Sequence, residues 1–214
     1  MDPRQFTATD RIIGEISKAI NVLGAPAHSS RAYPGDGPEA ADSLSPAQRS
    51  AAARLMRVNH AGEIAAQALY QGQAFLARRP EIAAAMHTAA VEEMDHLAWC
   101  ERRLSELGGR TSLLNPLWYA GSFAIGVMAA ASGDASSLGF ITETEKQVEA
   151  HLQGHLQRLP ESDLRSRRIL AAMQEDEAAH GAKAEQIGGK PLPRVIRAAM
   201  KLTARLMTRG SFWL

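Results

Sequence analysis

Hydrophobic residues recur every three or four positions along most of this chain, whereas the alternation of apolar and polar residues typical of strands is almost absent. The pattern predicts a first helix over residues 9–23. A linker rich in Pro, Gly, Ser and Asp follows over residues 24–44, and we expect it to be solvated. Aromatic residues make up only 5% of the chain, which also favours helices over sheets. The sequence therefore predicts an all-α protein.

Helix-start and helix-stop residues divide much of the remaining chain into two predicted helical hairpins. The first spans residues 45–77 and 81–107, and the second spans residues 137–159 and 163–187. Ser45-Pro46-Ala47-Gln48 is typical of a helix start, because a capping serine precedes a proline and the glutamine can close a capping box. Since the short turns make the helices of each hairpin antiparallel neighbours, the two hairpins predict a four-helix bundle.

The segment that joins the two hairpins, residues 111–133, contains no charged residue. Its most apolar part, residues 117–131, is shorter than the about 20 residues that a membrane-spanning helix needs. Two interpretations stay open: a partly helical crossover that packs on the bundle, or one that also dips into the membrane interface. The chain then divides into an N-terminal helix and linker, residues 1–44, and a bundle domain with its crossover, residues 45–214.

The formal net charge is only +1, but the charges are unevenly distributed. Residues 188–214 contain six of the 24 basic residues and none of the 23 acidic ones, so the rest of the chain has 18 basic residues against 23 acidic. Four basic residues form one stripe on the predicted last helix, residues 194–208: Arg194, Arg197, Lys201 and Arg205. Residues 194–214 therefore predict either a helix on an anionic membrane or an amphipathic helix docked on its own bundle. The acidic body argues against a nucleic-acid partner.

A single cysteine, Cys100, excludes an internal disulfide and a zinc site built from cysteines. Residues 1–7 have neither the apolar core of a signal peptide nor the acid-free, arginine-rich character of a transit peptide. We therefore expect a protein that works in the reducing cytoplasm.

Two Glu-x-x-His motifs lie 84 residues apart, each on the second helix of a predicted hairpin. They are Glu93 with His96, and Glu177 with His180. Residues three positions apart share one face of a helix, so each pair can reach a single metal ion. One such motif is weak evidence because it also arises by chance in charged helices, but two in matching places indicate a shared site.

Glu63 and Glu145 occupy the matching positions on the first helix of each hairpin. Residues equally far from the turn of an antiparallel hairpin lie at the same depth, and both glutamates lie about 16 residues before their turn. Glu149 lies four residues from that depth, which is about 6 Å along the helix axis. The spacing therefore selects one glutamate on each first helix as a partner for the Glu-x-x-His pair.

One glutamate from each of two helices and a Glu-x-x-His pair from each of the other two form the donor set of a ferritin-like di-iron or di-manganese site. Carboxylates are hard ligands that can neutralise and bridge two divalent ions, and imidazoles complete the set. The alternative, an acidic helix surface, makes the matched depths a coincidence. We therefore expect a ferritin-like four-helix bundle that binds two metal ions.

Two further residues have predicted roles next to the ligands. His151, on the same predicted helix as Glu145, is either a proton-delivery group or a histidine of the core. Asp176 directly precedes Glu177 and is expected to orient a histidine ligand on the facing helix, and Glu92 occupies the corresponding place in the first hairpin.

Four segments resemble the demethoxyubiquinone hydroxylases of ubiquinone biosynthesis, over residues 45–209. They are Arg57-Val58-Asn59-His60-Ala61-Gly62-Glu63; Glu92-Glu93-Met94-Asp95-His96-Leu97; Glu143-Thr144-Glu145 through Val148-Glu149-Ala150-His151-Leu152; and Asp176-Glu177-Ala178-Ala179-His180. The resemblance implies a non-haem di-iron monooxygenase with two Fe ions per chain and bridging carboxylates. It assigns one ion to Glu63, Glu93 and His96, and the other to Glu145, Glu177 and His180.

The resemblance also implies the reaction and its setting. The substrate would be a demethoxyubiquinol, 2-polyprenyl-3-methyl-6-methoxy-1,4-benzoquinol, hydroxylated on its ring with O2. The enzyme would lie peripherally on the cytoplasmic face of the cell membrane, where such a quinol is dissolved. Implied partners are an electron donor, other proteins of ubiquinone biosynthesis and a second copy of the chain. The donor stays open between NADH, a reductase and the quinol itself.

Two other classes of function stay open on the residues alone. A ferroxidase or a manganese catalase would share the metal site but needs no membrane helix. A non-enzymatic, membrane-associated helical adaptor would use the same amphipathic helices and would hold no metal. Metal analysis of the purified protein separates the adaptor from the enzymes.

Overall fold

The computed structural model describes residues 7–37 and 43–214, which form seven α-helices and no strand. The helices are α1 Ala8–Gly24, α2 Pro46–Leu76, α3 Pro80–Glu106, α4 Asn115–Ala131, α5 Asp134–Arg158, α6 Leu164–Gln186 and α7 Arg194–Trp213. The expectation of an all-α protein is confirmed. Both predicted hairpins are present as α2 with α3 and α5 with α6, with helix ends within three residues of those expected.

Side-chain caps fix where two of the four bundle helices, α2 and α6, begin. At the start of α2, Gln48 N donates to Ser45 Oγ at 3.3 Å and Ser45 N donates to Gln48 Oε1 at 2.9 Å, which is the predicted capping box. At the start of α6, Asp163 accepts a hydrogen bond from Ser166 N at 3.1 Å and a second from Arg103 Nη2 at 2.7 Å. Because Arg103 belongs to α3, the Asp163 carboxylate both caps α6 and joins the second hairpin to the first.

Two apolar clusters fill opposite ends of the bundle. One contains Met56, Trp99, Leu152 and Ile169 among others, and the other contains Tyr70, Ile82, Met86, Leu138 and Ile141. Each of the four bundle helices contributes to both clusters. The middle turns of these helices therefore face one another between the two clusters.

The uncharged crossover forms one continuous helix, α4, packed along α2. Gly72 and Gly126 allow this contact: a Cβ atom at Gly126 would overlap the carbonyl oxygen of Leu69, and one at Gly72 would overlap that of Phe123. The helix backbones therefore touch without intervening side chains. No helix within residues 7–37 and 43–214 combines the length and the apolar character that crossing a membrane requires.

Two segments differ from the sequence predictions. The composition of residues 24–44 predicts a solvated linker, but residues 25–37, here called the strap, lie against α3. Ala27 N donates to Glu101 at 2.9 Å, and Tyr33 is only 9% exposed. The last helix extends past residue 208 to Trp213, because Gly210 packs closely on Trp118 and lets the chain continue against α4.

Candidate metal centre

All six predicted ligand residues meet in the middle of the bundle, between the two apolar clusters. They form two groups, and in each group one donor atom of every residue lies within 4.8 Å of those of the others. The first group contains Glu63, Glu93, His96 and Glu177, and the second contains Glu93, Glu145, Glu177 and His180. Glu93 and Glu177 belong to both groups, so these two carboxylates are placed where they can bridge a pair of ions.

Each helix presents its ligand residues inward for a local reason. The Glu-x-x-His pairs lie on one face of α3 and of α6, and the facing turns of α2 and α5 supply the single glutamates at the same depth. Glu143, two residues before Glu145, turns to a different face and accepts a hydrogen bond from Gln147 at 2.7 Å. Helical spacing thus selects which glutamate of α5 enters the site.

The two histidines point the same nitrogen into the cluster. His96 Nδ1 lies 3.0 Å from Glu93 and 3.5 Å from Glu177, and His180 Nδ1 lies 3.3 Å and 3.7 Å from the same two glutamates. The Nε2 atoms point away from it. Nδ1 is therefore the atom that each imidazole offers to a metal ion.

The cluster leaves polar atoms without partners. Among the described residues, Glu93 Oε1, Glu177 Oε2 and His180 Nδ1 are buried and have no hydrogen-bond partner. Buried carboxylates and imidazoles are costly unless they are paired or coordinate a metal. Four carboxylates and two imidazoles also suit two divalent ions such as Fe²⁺ or Mn²⁺. The donor set and its unpartnered atoms therefore fit a di-metal centre.

Crowding changes the protonation of the metal-free cluster. Burial and then repulsion from neighbouring carboxylates raise the pKa of Glu63 and that of Glu145. Burial lowers the pKa of His180, but the nearby carboxylates of Glu177 and Glu93 outweigh burial and raise this pKa to about 11. Without metal, protons on these glutamates and on His180 therefore reduce the net negative charge of the cluster. Metal binding displaces such protons.

Carboxylates stand behind both histidines. His96 Nε2 donates to Asp176 Oδ2 at 2.9 Å, and His180 Nε2 donates to Glu92 Oε2 at 2.6 Å. Asp176 and Glu92 come from the helix facing each histidine, and their role in orienting the histidines stays a prediction. Carboxylates in such places fix the orientation and tautomer of metal-binding histidines.

Tyr70 is a neighbour of the cluster that the sequence did not assign to the site. Its hydroxyl donates a hydrogen bond to Glu145 Oε1 across the bundle. Both groups are fully buried. Tyr70 lies seven residues, two helical turns, after Glu63 on α2. This spacing places Tyr70 on the same face of the helix as a predicted ligand, so the sequence does contain an indication that Tyr70 lies near the site.

His151 does not join either group of candidate metal ligands. Its ring packs on that of His155 with centroids 3.9 Å apart, and His155 Nδ1 lies 2.8 Å from Asn59 Oδ1. Burial, with a smaller effect from the positive charge of Arg158, lowers the pKa of His151 to about 4. His151 lines a cavity beside the cluster, and its role in proton delivery stays a prediction.

That cavity has a volume of about 910 Å³ and is lined mainly by residues of α2, α4, α5 and α7. Glu63, Glu145 and Glu177 line one part of it. Most of the remaining lining is apolar and includes Val58, Leu69, Ile125, Val148, Ile196 and Met200. The candidate metal ligands are therefore accessible from an apolar cavity that is large enough for a small-molecule ligand.

Residues 50–211 match the family described as ubiquinone biosynthesis protein COQ7. A relative from Bordetella pertussis named 3-demethoxyubiquinol 3-hydroxylase is 55% identical over 211 residues, which cover 99% of this chain and 95% of the relative. Relatives with the same name from Chromobacterium violaceum and Nitrosomonas europaea are 53% and 52% identical, and each alignment covers 95% of this chain and 98% of the relative. The chain therefore belongs to the COQ7 family of ubiquinone biosynthesis proteins.

Proposed function

We propose that this protein is a di-iron monooxygenase that hydroxylates the ring of demethoxyubiquinol in ubiquinone biosynthesis. The observation that carries the proposal is a buried cluster of four glutamates and two histidines at the wall of an apolar chamber. Relatives of nearly the same length carry the name of this activity. Two iron ions, when bound, supply the redox chemistry that activates O2.

The residues of the chain have separate tasks in this reaction. Glu93 and Glu177 would hold both ions, while Glu63, Glu145 and the two histidines would each hold one. The apolar cavity binds the polyprenyl tail, so that the quinol ring comes to rest beside the carboxylates. A tail and ring bound in this cavity would displace water from around the ring, which strengthens electrostatic interactions at the site. Asp176 and Glu92 hold the histidines in orientation.

The cavity also favours this reaction over the two alternatives. A ferroxidase or a catalase acts on small hydrophilic substrates, and such substrates do not require an apolar cavity of about 910 Å³. An adaptor without metal would keep four buried glutamates and two histidines together at a cost to its own stability.

Quinone profiling of a deletion strain tests the proposed activity. A strain without this protein is expected to accumulate demethoxyubiquinone and to lack ubiquinone. The wild-type gene should restore ubiquinone, whereas a Glu145→Ala gene should not, because Glu145 belongs to the metal-binding cluster. Mass spectrometry of extracted quinones measures both compounds. Normal ubiquinone in the deletion strain would refute the proposed activity.

We also propose that the protein lies peripherally on the cytoplasmic face of the cell membrane, with α4 and α7 against lipid. Val195 is 78% exposed on α7, and three further apolar residues continue the same stripe at helical spacing: Leu202, Leu206 and Trp213. On α4, Leu117 and Met128 are about equally exposed, at 61% and 60%. An exposed apolar surface of this extent typically marks an interaction site.

Around the axis of α7, the apolar stripe lies between two other surfaces. On one side Ile196, Met200 and Met207 line the cavity. On the other side lie the four basic residues predicted from the sequence, all exposed. Two of them, Lys201 and Arg205, also line the edge of the cavity. A helix that rests its apolar stripe in lipid would bring the basic residues to anionic headgroups and the cavity to the bilayer.

α1 adds to this surface because it turns its apolar side outward. Four isoleucines of α1 are between 53% and 64% exposed: Ile12, Ile13, Ile16 and Ile20. The opposite side packs on the bundle, where Arg11 donates to the carbonyl of Phe75 at 2.6 Å. An amphipathic helix that docks only on its own protein buries its apolar side instead. Since α1 also contacts α4, the isoleucines extend the surface proposed to face lipid.

Vesicle binding tests the proposed surface. Leu202→Glu with Leu206→Glu is expected to weaken binding to vesicles of phosphatidylglycerol and phosphatidylcholine by about 10-fold or more, because it removes two apolar contacts and adds charge repulsion. Flotation on a density gradient measures the bound fraction. Val91→Glu is the matched control, since Val91 is 64% exposed on α3 and lies outside this surface. Equal binding by both variants would contradict the proposed orientation.

A further inference from the structure

Arg31 of the strap connects the N-terminal region to the metal centre. Its Nη1 donates to Asp176 Oδ2 at 2.6 Å, and its Nη2 lies 3.5 Å from Asp176 Oδ1. The same Oδ2 accepts the hydrogen bond from His96 Nε2 at 2.9 Å. Arg31, Asp176 and His96 therefore form one chain of charge-assisted hydrogen bonds that ends at a proposed metal ligand.

The strap holds Arg31 in this position through α3. The guanidinium lies 4.8 Å from the centre of the Trp99 ring, and Trp99 Nε1 donates to Ser29 Oγ at 3.1 Å. Ser30 N donates to Asp95 Oδ1 at 2.6 Å, one residue before His96. Arg31 thus stacks on Trp99 of α3 while it donates to Asp176 of α6, and these two contacts lower the entropy cost of keeping its side chain in place.

The other half of the centre has no equivalent support among the described ion pairs. Glu92, the carboxylate behind His180, takes part in one of them only, with His180 itself. The side chain of Glu92 is 42% exposed, against 25% for that of Asp176. The two halves supply the same types of ligand, but among the described residues only Asp176, the carboxylate behind His96, pairs with a residue from outside the bundle.

We propose that Arg31 is a positioning residue for the metal ion beside His96, and that this ion leaves the protein more slowly than the ion beside His180. The inference rests on the proposed di-metal centre. Arg31 holds the Asp176 carboxylate in one orientation, and Asp176 in turn fixes the ring and tautomer of His96. Loss of such a supporting partner typically weakens metal binding by about 10–100-fold. Because Arg31 acts through Asp176, we expect the loss of Arg31 to weaken metal binding by about 10-fold, the lower end of this range.

Chelator competition under anaerobic conditions tests this role without measuring activity. The purified full chain is loaded with Fe²⁺, and ferrozine is added to follow iron release. In Arg31→Gln, about half of the iron is expected to leave about 10-fold faster than in the wild type, and the other half at the wild-type rate. Unchanged release, or equal acceleration of all the iron, would overturn the inference.

Arg102→Gln is the matched control for loosening of the strap. Arg102 pairs with Asp36 of the strap at 2.6 Å and lies 3.9 Å from the centre of the Tyr33 ring, but it does not contact the metal-binding cluster. This variant is expected to release iron like the wild type. If it accelerates release as Arg31→Gln does, Arg31 merely fastens the strap and has no specific effect on the metal ion.

A double-mutant cycle tests whether Arg31 acts through Asp176. In an Asp176→Asn background, adding Arg31→Gln is expected to cause no further acceleration, because the connection to His96 is already weakened. A full additional effect would overturn the proposed route. A wild-type protein that binds no iron would instead refute the metal centre itself, so the two failures are distinguishable.

Discussion

Glu177→Ala is expected to lower the metal content from about two ions per chain to less than one and to reduce hydroxylation by more than about 100-fold. Glu177 belongs to both groups of metal-binding residues, so its removal takes a donor from each proposed ion. Loss of a residue behind a ligand already costs about 10–100-fold, and loss of a shared ligand should cost more. Elemental analysis and a hydroxylation assay on the same preparation measure the two effects.

Misfolding is separated from metal loss in two ways. Glu175→Ala, two residues earlier on α6, changes an exposed side chain and is expected to keep metal and activity. In the metal-free protein, Glu177→Ala should not lower the melting temperature. Burial raises the pKa of Glu63 and that of Glu145, and repulsion from neighbouring carboxylates, which include Glu177, raises them further. Removal of the Glu177 carboxylate relieves part of this repulsion. A variant with full metal content and wild-type turnover would contradict the assignment of Glu177.

Gly126→Val is expected to lower the free energy of unfolding by about 2–3 kcal/mol and the melting temperature by about 5–10 °C. A side chain at this position would overlap the carbonyl oxygen of Leu69, and even its Cβ would lie only 3.1 Å from Gln73 N. Because both obstacles are backbone atoms of a helix, α4 must move away from α2. Because α4 forms one wall of the cavity, its movement changes the shape of the cavity, and activity should fall as well.

Gly121→Val is the matched control for this change. Gly121 lies on the same helix, and a Cβ atom there would have no neighbour within 4 Å. The substitution replaces a glycine inside a helix, which by itself is neutral or slightly stabilising. Thermal unfolding followed by circular dichroism compares the two variants. Equal melting temperatures would show that the close contact between α2 and α4 contributes nothing to stability.

Much of the bundle could be predicted from the sequence because its determinants are local. The capping box at Ser45 and the prolines near the hairpin turns fix helix ends within the chain itself. Once the turns are placed, the constant helical rise fixes which glutamates lie opposite each Glu-x-x-His pair. This is why Glu63 and Glu145 could be selected from many acidic residues without knowledge of the structure.

The remaining features depend on contacts between distant parts of the chain. Arg31 and Asp176 are 145 residues apart, and no local pattern in the polar strap indicates that they meet. The last helix continues past Gly210 to Trp213. This extension depends on the contact of Gly210 with Trp118 of α4 and not on local helix propensity. α4 itself is apolar on all sides, so its sequence has no amphipathic period from which a packing face could be read.

The glycine contact between α2 and α4 also decides which positions of the crossover can diverge in evolution. Gly72 and Gly126 cannot be exchanged for any residue with a Cβ atom unless the two helices separate. The outward residues Leu117 and Met128 are largely exposed, so apolar character is the only property that the proposed lipid contact requires of them. Among relatives, this helix is therefore expected to drift freely among apolar residues on its outer side, while the glycine pair stays fixed.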